Sequence, residues 1–298
     1  MDPRTVYGLI RSGVHYRDHD STVAPELPCG RTTSLAQSML RSLFAAACLD
    51  QQNFHQSTWN PLGDYISTSD RVLIKPNWVY HTNKSGHTLD SVVTHTSVIA
   101  AVVDYVAKAK PSSITIADAP IQGCCFRDLC DRLEIFSLLD RPSTTGLHVV
   151  IKDLRRVIRE DERLHGLSRT SARNDSDYIL FDLKNQSQLE PISDEGRFRV
   201  TMYDPDELQR SHGSGRHAYL IAREAMEADV IINLPKLKTH QKAGVTGALK
   251  NIVGINGLKN YLPHHRLGGS DLGGDCYEGR SQIKSLIERL LDATNRSH

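Results

Sequence analysis

Short, uninterrupted apolar runs that stop at a polar residue beside a proline recur three times along the chain. They are residues 71–77 (RVLIKPN), 114–120 (ITIADAP) and 229–236 (DVIINLPK). A continuous β-branched run, as opposed to an alternating one, is the pattern of a strand buried on both faces of a parallel sheet. The adjacent proline ends strand pairing. Between the first two runs, Val98, Ala101, Val102, Tyr105 and Val106 recur at helical spacing up to Lys108, with Thr96 as N-cap. Strand, helix and strand in that order form a βαβ unit. Residues 34–49 and 216–228 predict further helices, the second just before the third run. Residues 281–293 predict a last helix that leads into no strand, so the expectation is a polypeptide short of a closing strand or two.

The stretch 140–214 reads differently. Short candidate strands at 148–151, 178–183 and 197–203 are separated by charged, Ser- and Asn-rich segments. They predict an insertion or cap built on the sheet. The expected fold is α/β: one domain with a mostly parallel sheet flanked by helices and an inserted middle region containing short strands.

Charge and cysteine usage narrow the function classes. Lys plus Arg number 36 against 35 Asp plus Glu, a net charge of +1 that offers no global attraction for nucleic acid or an acidic membrane. The start, MDPRTVYGLI, lacks a signal-peptide layout, and apolar runs such as 43–49 fall far short of the roughly 20 residues a spanning helix needs. Both features favour the cytoplasm. Cys29, Cys48, Cys124, Cys125, Cys130 and Cys276 include no Cys-x-x-Cys pair, so the sequence encodes neither a zinc ribbon nor a standard ferredoxin cluster. Cys124, Cys125 and Cys130 read as buried or idle thiols.

Ligands of open parallel sheets bind beyond the carboxyl ends of the strands. The three strand breaks deliver Lys75 and Asn77, Asp118, and Asn233 with Lys236 to that edge. Each alone could be a turn residue; together they point to a site. From Val230 to Ser270 there is no Asp or Glu, where the chain average of 35 in 298 leads one to expect about five. The segment holds Lys236, Lys238, Lys242, Lys250, Lys259 and Arg266 instead, with glycines interleaved. Uncompensated positive charge on a closely approachable backbone suits a carboxylate or phosphate. Residues 243–251 (AGVTGALKN), which include Thr246 and Asn251, read as a loop entering a helix. Their Gly-x-x-Gly-x-x-Lys spacing is not a Walker A loop and specifies no nucleotide.

His240 lies between Lys238 and Lys242, whose charges favour the neutral imidazole, a form suited to acid–base work or metal ligation. His264, His265 and Asp275 form a candidate metal set, although adjacent histidines usually point different ways. His95 precedes a helix and either caps it or helps hold an anion.

The runs VLIKPN (72–77), DVIINLPKLKTH (229–240) and GVTGALKNIVG (244–254), with LPHHR (262–266) and GGD (273–275), resemble the family known as domain of unknown function 362. The family has no settled general activity. Some members carry an added ferredoxin-like cysteine domain, whose cysteines are missing here. A weaker likeness concerns His240 and Lys250, whose His-x₉-Lys arrangement around a glycine-containing loop is similar to lactate racemase-type proteins. That likeness implies a lysine holding a nickel-pincer nucleotide and a histidine acting as acid and base.

The function expected from these readings is an enzyme acting on a small anionic substrate, with His240 and Lys250 carrying the chemistry. Lys75, Asn77, Asp118, Asn233, Lys236, Lys238, Thr246 and Asn251 would bind the substrate. One alternative is a metal-, iron–sulfur- or cofactor-binding redox or carrier protein built on His240, His264, His265 and Cys276. The other, a nucleic-acid-binding module, is poorly served, because Tyr261 is the cationic segment's one aromatic residue.

Overall fold

The computed structural model describes residues 34–159, 168–170, 173–193, 196–201, 203–240 and 242–296. Its centre is a four-stranded parallel sheet ordered Val230–Leu234, Arg71–Pro76, Ser113–Asp118, His148–Asp153. All three runs read from the sequence are therefore neighbouring strands, and their carboxyl ends share one edge. The fourth strand comes from the start of the 140–214 stretch, so the parallel sheet reaches into that region. Cys29 and the rest of residues 1–33 lie outside the described residues.

Alternation along the strands divides the sheet into two buried faces. Val72, Ile74, Ile114 and Ile116 pack with Ile99, Val102 and Val106 of the helix Thr96–Lys108 and with Phe44 of the helix Leu35–Ala46. Leu73 and Ala117 pack on the other side with Tyr178, Ala222 and Ala225. That second layer is an antiparallel pair, Tyr178–Asp182 against Arg216–Ala222. The helix predicted for 216–228 is thus a strand followed by the five-residue helix Arg223–Glu227. Ala and Leu favour a helix locally, but register with Tyr178–Asp182 overrides that preference.

Helix ends follow side-chain chemistry. Ser34 and Gln37 form a capping box at the first helix. The cap of Thr96–Lys108 is His95, whose Nδ1 accepts from the Ser97 N–H at 3.1 Å, whereas Thr96 is the first helical residue and donates to the Leu133 carbonyl. His95 therefore has a capping role. The last helix runs Gln282–Arg296. Among the described residues no helix is long and apolar enough to cross a membrane.

Glu224 ties the antiparallel layer to the parallel sheet. Its carboxylate accepts from Lys152 Nζ at 2.9 Å and from Arg173 at 2.7 and 3.0 Å. Burial alone would raise this carboxyl, but Arg173 and Lys152 hold it down at about 2. Because that value lies below the ordinary 4.5, the stabilisation is complete above pH 4.5 and is lost as pH falls toward 2. Glu224→Gln is expected to cost about 1–2 kcal/mol at neutral pH, a figure discounted for partial solvent screening. Urea titrations across the acid range should show the two proteins converge.

Candidate functional site

Beyond the strand ends the chain builds a hairpin, Lys238–His240 paired antiparallel with Gly244–Thr246, followed by the single helical turn Ala248–Asn251. A buried polar network fastens that turn to the sheet. Asn251 Nδ2 donates to the Lys75 carbonyl at 3.0 Å and to Asn233 Oδ1 at 2.7 Å, and Asn233 Nδ2 donates to the Ala248 carbonyl at 2.9 Å. Lys75 Nζ lies 2.7 Å from Asp118 Oδ1, and Asp118 Oδ2 accepts the Trp78 N–H at 2.6 Å. Lys75 and Asp118 are buried and hold each other, so in this structure they are positioning groups beneath the site and do not line its open edge. Burial pushes the Lys75 amine down, and Asp118 pulls it back up.

Asn77 stands one step outward. Its Nδ2 donates to the Val92 carbonyl at 2.7 Å, and its Oδ1 accepts from Lys238 Nζ at 3.1 Å. Lys238 is half-buried, and its amine is pushed down first by burial, then by the nearby charge of Lys250, with Lys236 and Lys75 adding to the effect. The charges of three other predicted lysines thus all bear on Lys238, with Asp118 the acid that opposes them. Thr246 is buried in the hairpin, its Oγ1 3.5 Å from the Lys238 carbonyl.

The outer end of the hairpin carries His240. Its Nδ1 accepts the backbone N–H groups of Lys242 at 3.2 Å and Ala243 at 3.3 Å. An imidazole nitrogen that accepts carries no proton, so the neutral ring bears its proton on Nε2. Nε2 faces Lys250 Nζ in hydrogen-bond contact. That contact is attractive when Lys250 is a neutral amine accepting the ring proton, and repulsive when Lys250 is an ammonium. Burial pushes the Lys250 amine down, toward the neutral form. Leu237, Val245 and Leu249, on the hairpin and the turn that follows it, are exposed.

The predicted metal set is not assembled as read. His264 turns its Nδ1 onto the Leu262 carbonyl at 2.8 Å, away from Asp275, and its ring centroid lies 6.4 Å from that of His265. His265 and Asp275 do come together, with Cys276 as the third member. The Cys276 thiol is pushed up to about 11 by burial and by Glu288 beside it. Cys124 and Cys130 are core residues, each pushed up to about 12 by burial, and Cys125 is exposed. Nor does the surface over Lys250 fit a tethered nucleotide. Lys250 sits exposed on one turn of helix with its amine engaged by His240, not in an enclosed slot, so no step is assigned to such a group.

Lys259 is a buried residue whose environment the sequence did not signal. Its Nζ donates to the Asn256 carbonyl at 3.3 Å. Burial pushes its amine down to about 8, with Asp118 opposing and Lys75 reinforcing. The folded state therefore binds less proton than the unfolded chain between about 8 and the ordinary 10.5, and stability rises with pH across that window. Lys259→Met should stabilise the protein by about 1–3 kcal/mol at neutral pH. Denaturation midpoints should show the advantage shrinking above pH 8.

Fold and site together describe an α/β protein with a lysine- and histidine-rich surface hairpin seated on the carboxyl edge of a parallel sheet. Residues 181–295 match the family described as "Domain of unknown function (DUF362)", which bears out the family resemblance over a stretch that includes the hairpin, Lys250 and His265. Lys75, Asn77 and Asp118 precede the matched stretch. The chain is also 26% identical over 210 residues to the thylakoid-associated protein sll1697 of Synechocystis sp.. That alignment covers 70% of this chain and 46% of the relative, so the chain spans about half the length of the curated relative it matches. No solved structure matches the chain.

Proposed function

We propose that this chain is an acid–base enzyme acting on a small carboxylate or phosphate, with His240 and Lys250 as a proton-sharing pair. The observation that carries the reading is the arrangement of His240: Nδ1 is committed to two backbone N–H groups while Nε2 meets the Lys250 amine. A lysine whose amine is pushed below its ordinary value by burial, beside an oriented N–H donor, is the group placed to take up a proton. Taking up one proton makes the Lys250 contact repulsive and frees its ammonium to meet an anion. Lys236 and Lys238 supply further positive charge. The cytoplasmic location expected from the sequence belongs to this proposal; thylakoid association is stated of the relative alone. A nucleic-acid role is poorly served, since the described residues of the hairpin and its following turn include no Phe, Tyr or Trp.

The test is proton exchange. Small carboxylic acids and phosphate esters are incubated with the protein in deuterated water, and loss of carbon-bound protons is followed by NMR. Exchange of one compound class by wild type, absent with His240→Ala at unchanged stability, is the expected result. Equal exchange by both proteins contradicts the proposal.

A further inference from the structure

His265, Asp275 and Cys276 each offer one ligand atom, and these atoms lie within 4.8 Å of one another. They are brought together by backbone pairing. Asp275 N–H donates to the Arg266 carbonyl at 2.9 Å, and Cys276 N–H donates to the Gly268 carbonyl at 3.1 Å. Gly274 permits the approach, since a Cβ there would stand 2.2 Å from the Gly268 oxygen. The Asp275 carboxylate is fixed through Oδ1, which accepts the Arg266 N–H at 2.6 Å, and this leaves Oδ2 outward.

One observation distinguishes the cluster from a chance grouping. Lys242 Nζ lies against His265 Nδ1 and 3.1 Å from Asp275 Oδ2, so an ammonium already stands between two of the ligand atoms. Glu288, from the last helix, is 6% exposed and stands beside Cys276, paired with Arg199 Nη1 at 3.5 Å. Glu288, His265 and Cys276 line one cavity of about 320 Å³.

We infer that His265, Asp275 and Cys276 bind a zinc-class divalent cation, with Lys242 standing in for the ion. The donor set is one imidazole nitrogen, one thiolate and carboxylate oxygen, a mixture that zinc-class ions prefer to magnesium or calcium. A tetrahedral site places ligand atoms about 3.5 Å apart, so closure by about 1.3 Å brings the three donors to that spacing and leaves the fourth position to water. On binding, the Lys242 ammonium leaves to solvent, Cys276 gives its thiol proton to water, and His265 coordinates as the neutral ring. The inference stands apart from the chemistry proposed for His240.

Cobalt(II) is the probe, added to the untagged full chain. The expected result is one equivalent bound, with a thiolate-to-cobalt charge-transfer band in the near ultraviolet. Cys276→Ser should abolish the band, and His265→Ala should weaken binding at least about tenfold. Lys242→Met removes the competing ammonium and should bind several-fold more tightly. Absence of the band from wild type at saturating cobalt overturns the inference. So does binding unchanged by Cys276→Ser, which would mark an adventitious surface ion. Weaker binding by Lys242→Met overturns the stand-in role.

Discussion

Lys75→Met is expected to destabilise the protein by about 3–5 kcal/mol, a large share of the 5–15 kcal/mol that holds a typical domain folded. The Lys75 side chain is fully buried, and its Nζ sits 2.7 Å from Asp118 Oδ1. Removing the amine leaves a buried carboxylate whose remaining partner is the Trp78 N–H. The same carboxylate and amine lie under Gly254: a Cβ there would come within 1.9 Å of Asp118 Oδ1 and 2.6 Å of Lys75 Nζ. Gly254→Ala should therefore damage the same junction even though it removes no charge. Adding Asp118→Asn to Lys75→Met should recover about 2 kcal/mol, because the amide still accepts from Trp78 and carries no charge. Urea midpoints of the three proteins test this. A single Lys75→Met variant within about 1 kcal/mol of wild type contradicts the buried-pair account.

The second large effect concerns turnover. His240→Ala should lower the rate about 10²- to 10⁴-fold, the range for loss of a positioned acid or base. Lys250→Met should reduce it comparably and also change the pH profile. Burial pushes the Lys250 amine below its ordinary value. In the proposed chemistry the neutral amine is the working form, so it is lost as pH falls through that lowered value and the wild-type rate should climb with rising pH. In Lys250→Met that limb should disappear. Lys236→Ala and Lys238→Ala, which weaken attraction for the substrate's charge, should raise KM more than they lower kcat. A limb that persists without Lys250 assigns the titration to another group.

The parallel sheet was legible because its strands are buried on both faces, a condition that writes itself as continuous, mostly β-branched runs at 72–74, 114–116 and 230–232. The strand Arg216–Ala222 was not legible. Its Ala- and Leu-containing run has no periodicity that separates strand from helix, and only pairing with Tyr178–Asp182 decides the matter. The acid-free cationic segment likewise pointed to the hairpin, and His240 and Lys250 meet there. Composition could not tell which cations are spent inside. Lys75 and Lys259 carry the same charge as Lys238, but burial is set by tertiary neighbours such as Gly254 and Asn256. Cys276 joins His265 through a glycine-lined turn whose close backbone approach leaves no pattern beyond the glycines themselves. His264, adjacent in sequence, turns to the Leu262 carbonyl instead.

The most direct measurement is the nitrogen-15 spectrum of the His240 ring, assigned by comparison with His240→Ala. The account predicts an unprotonated Nδ1 and a protonated Nε2 at alkaline pH, with the Nε2 resonance shifting in Lys250→Met. A ring protonated at Nδ1, or one indifferent to the loss of Lys250, contradicts the proton-sharing pair on which the proposed chemistry rests.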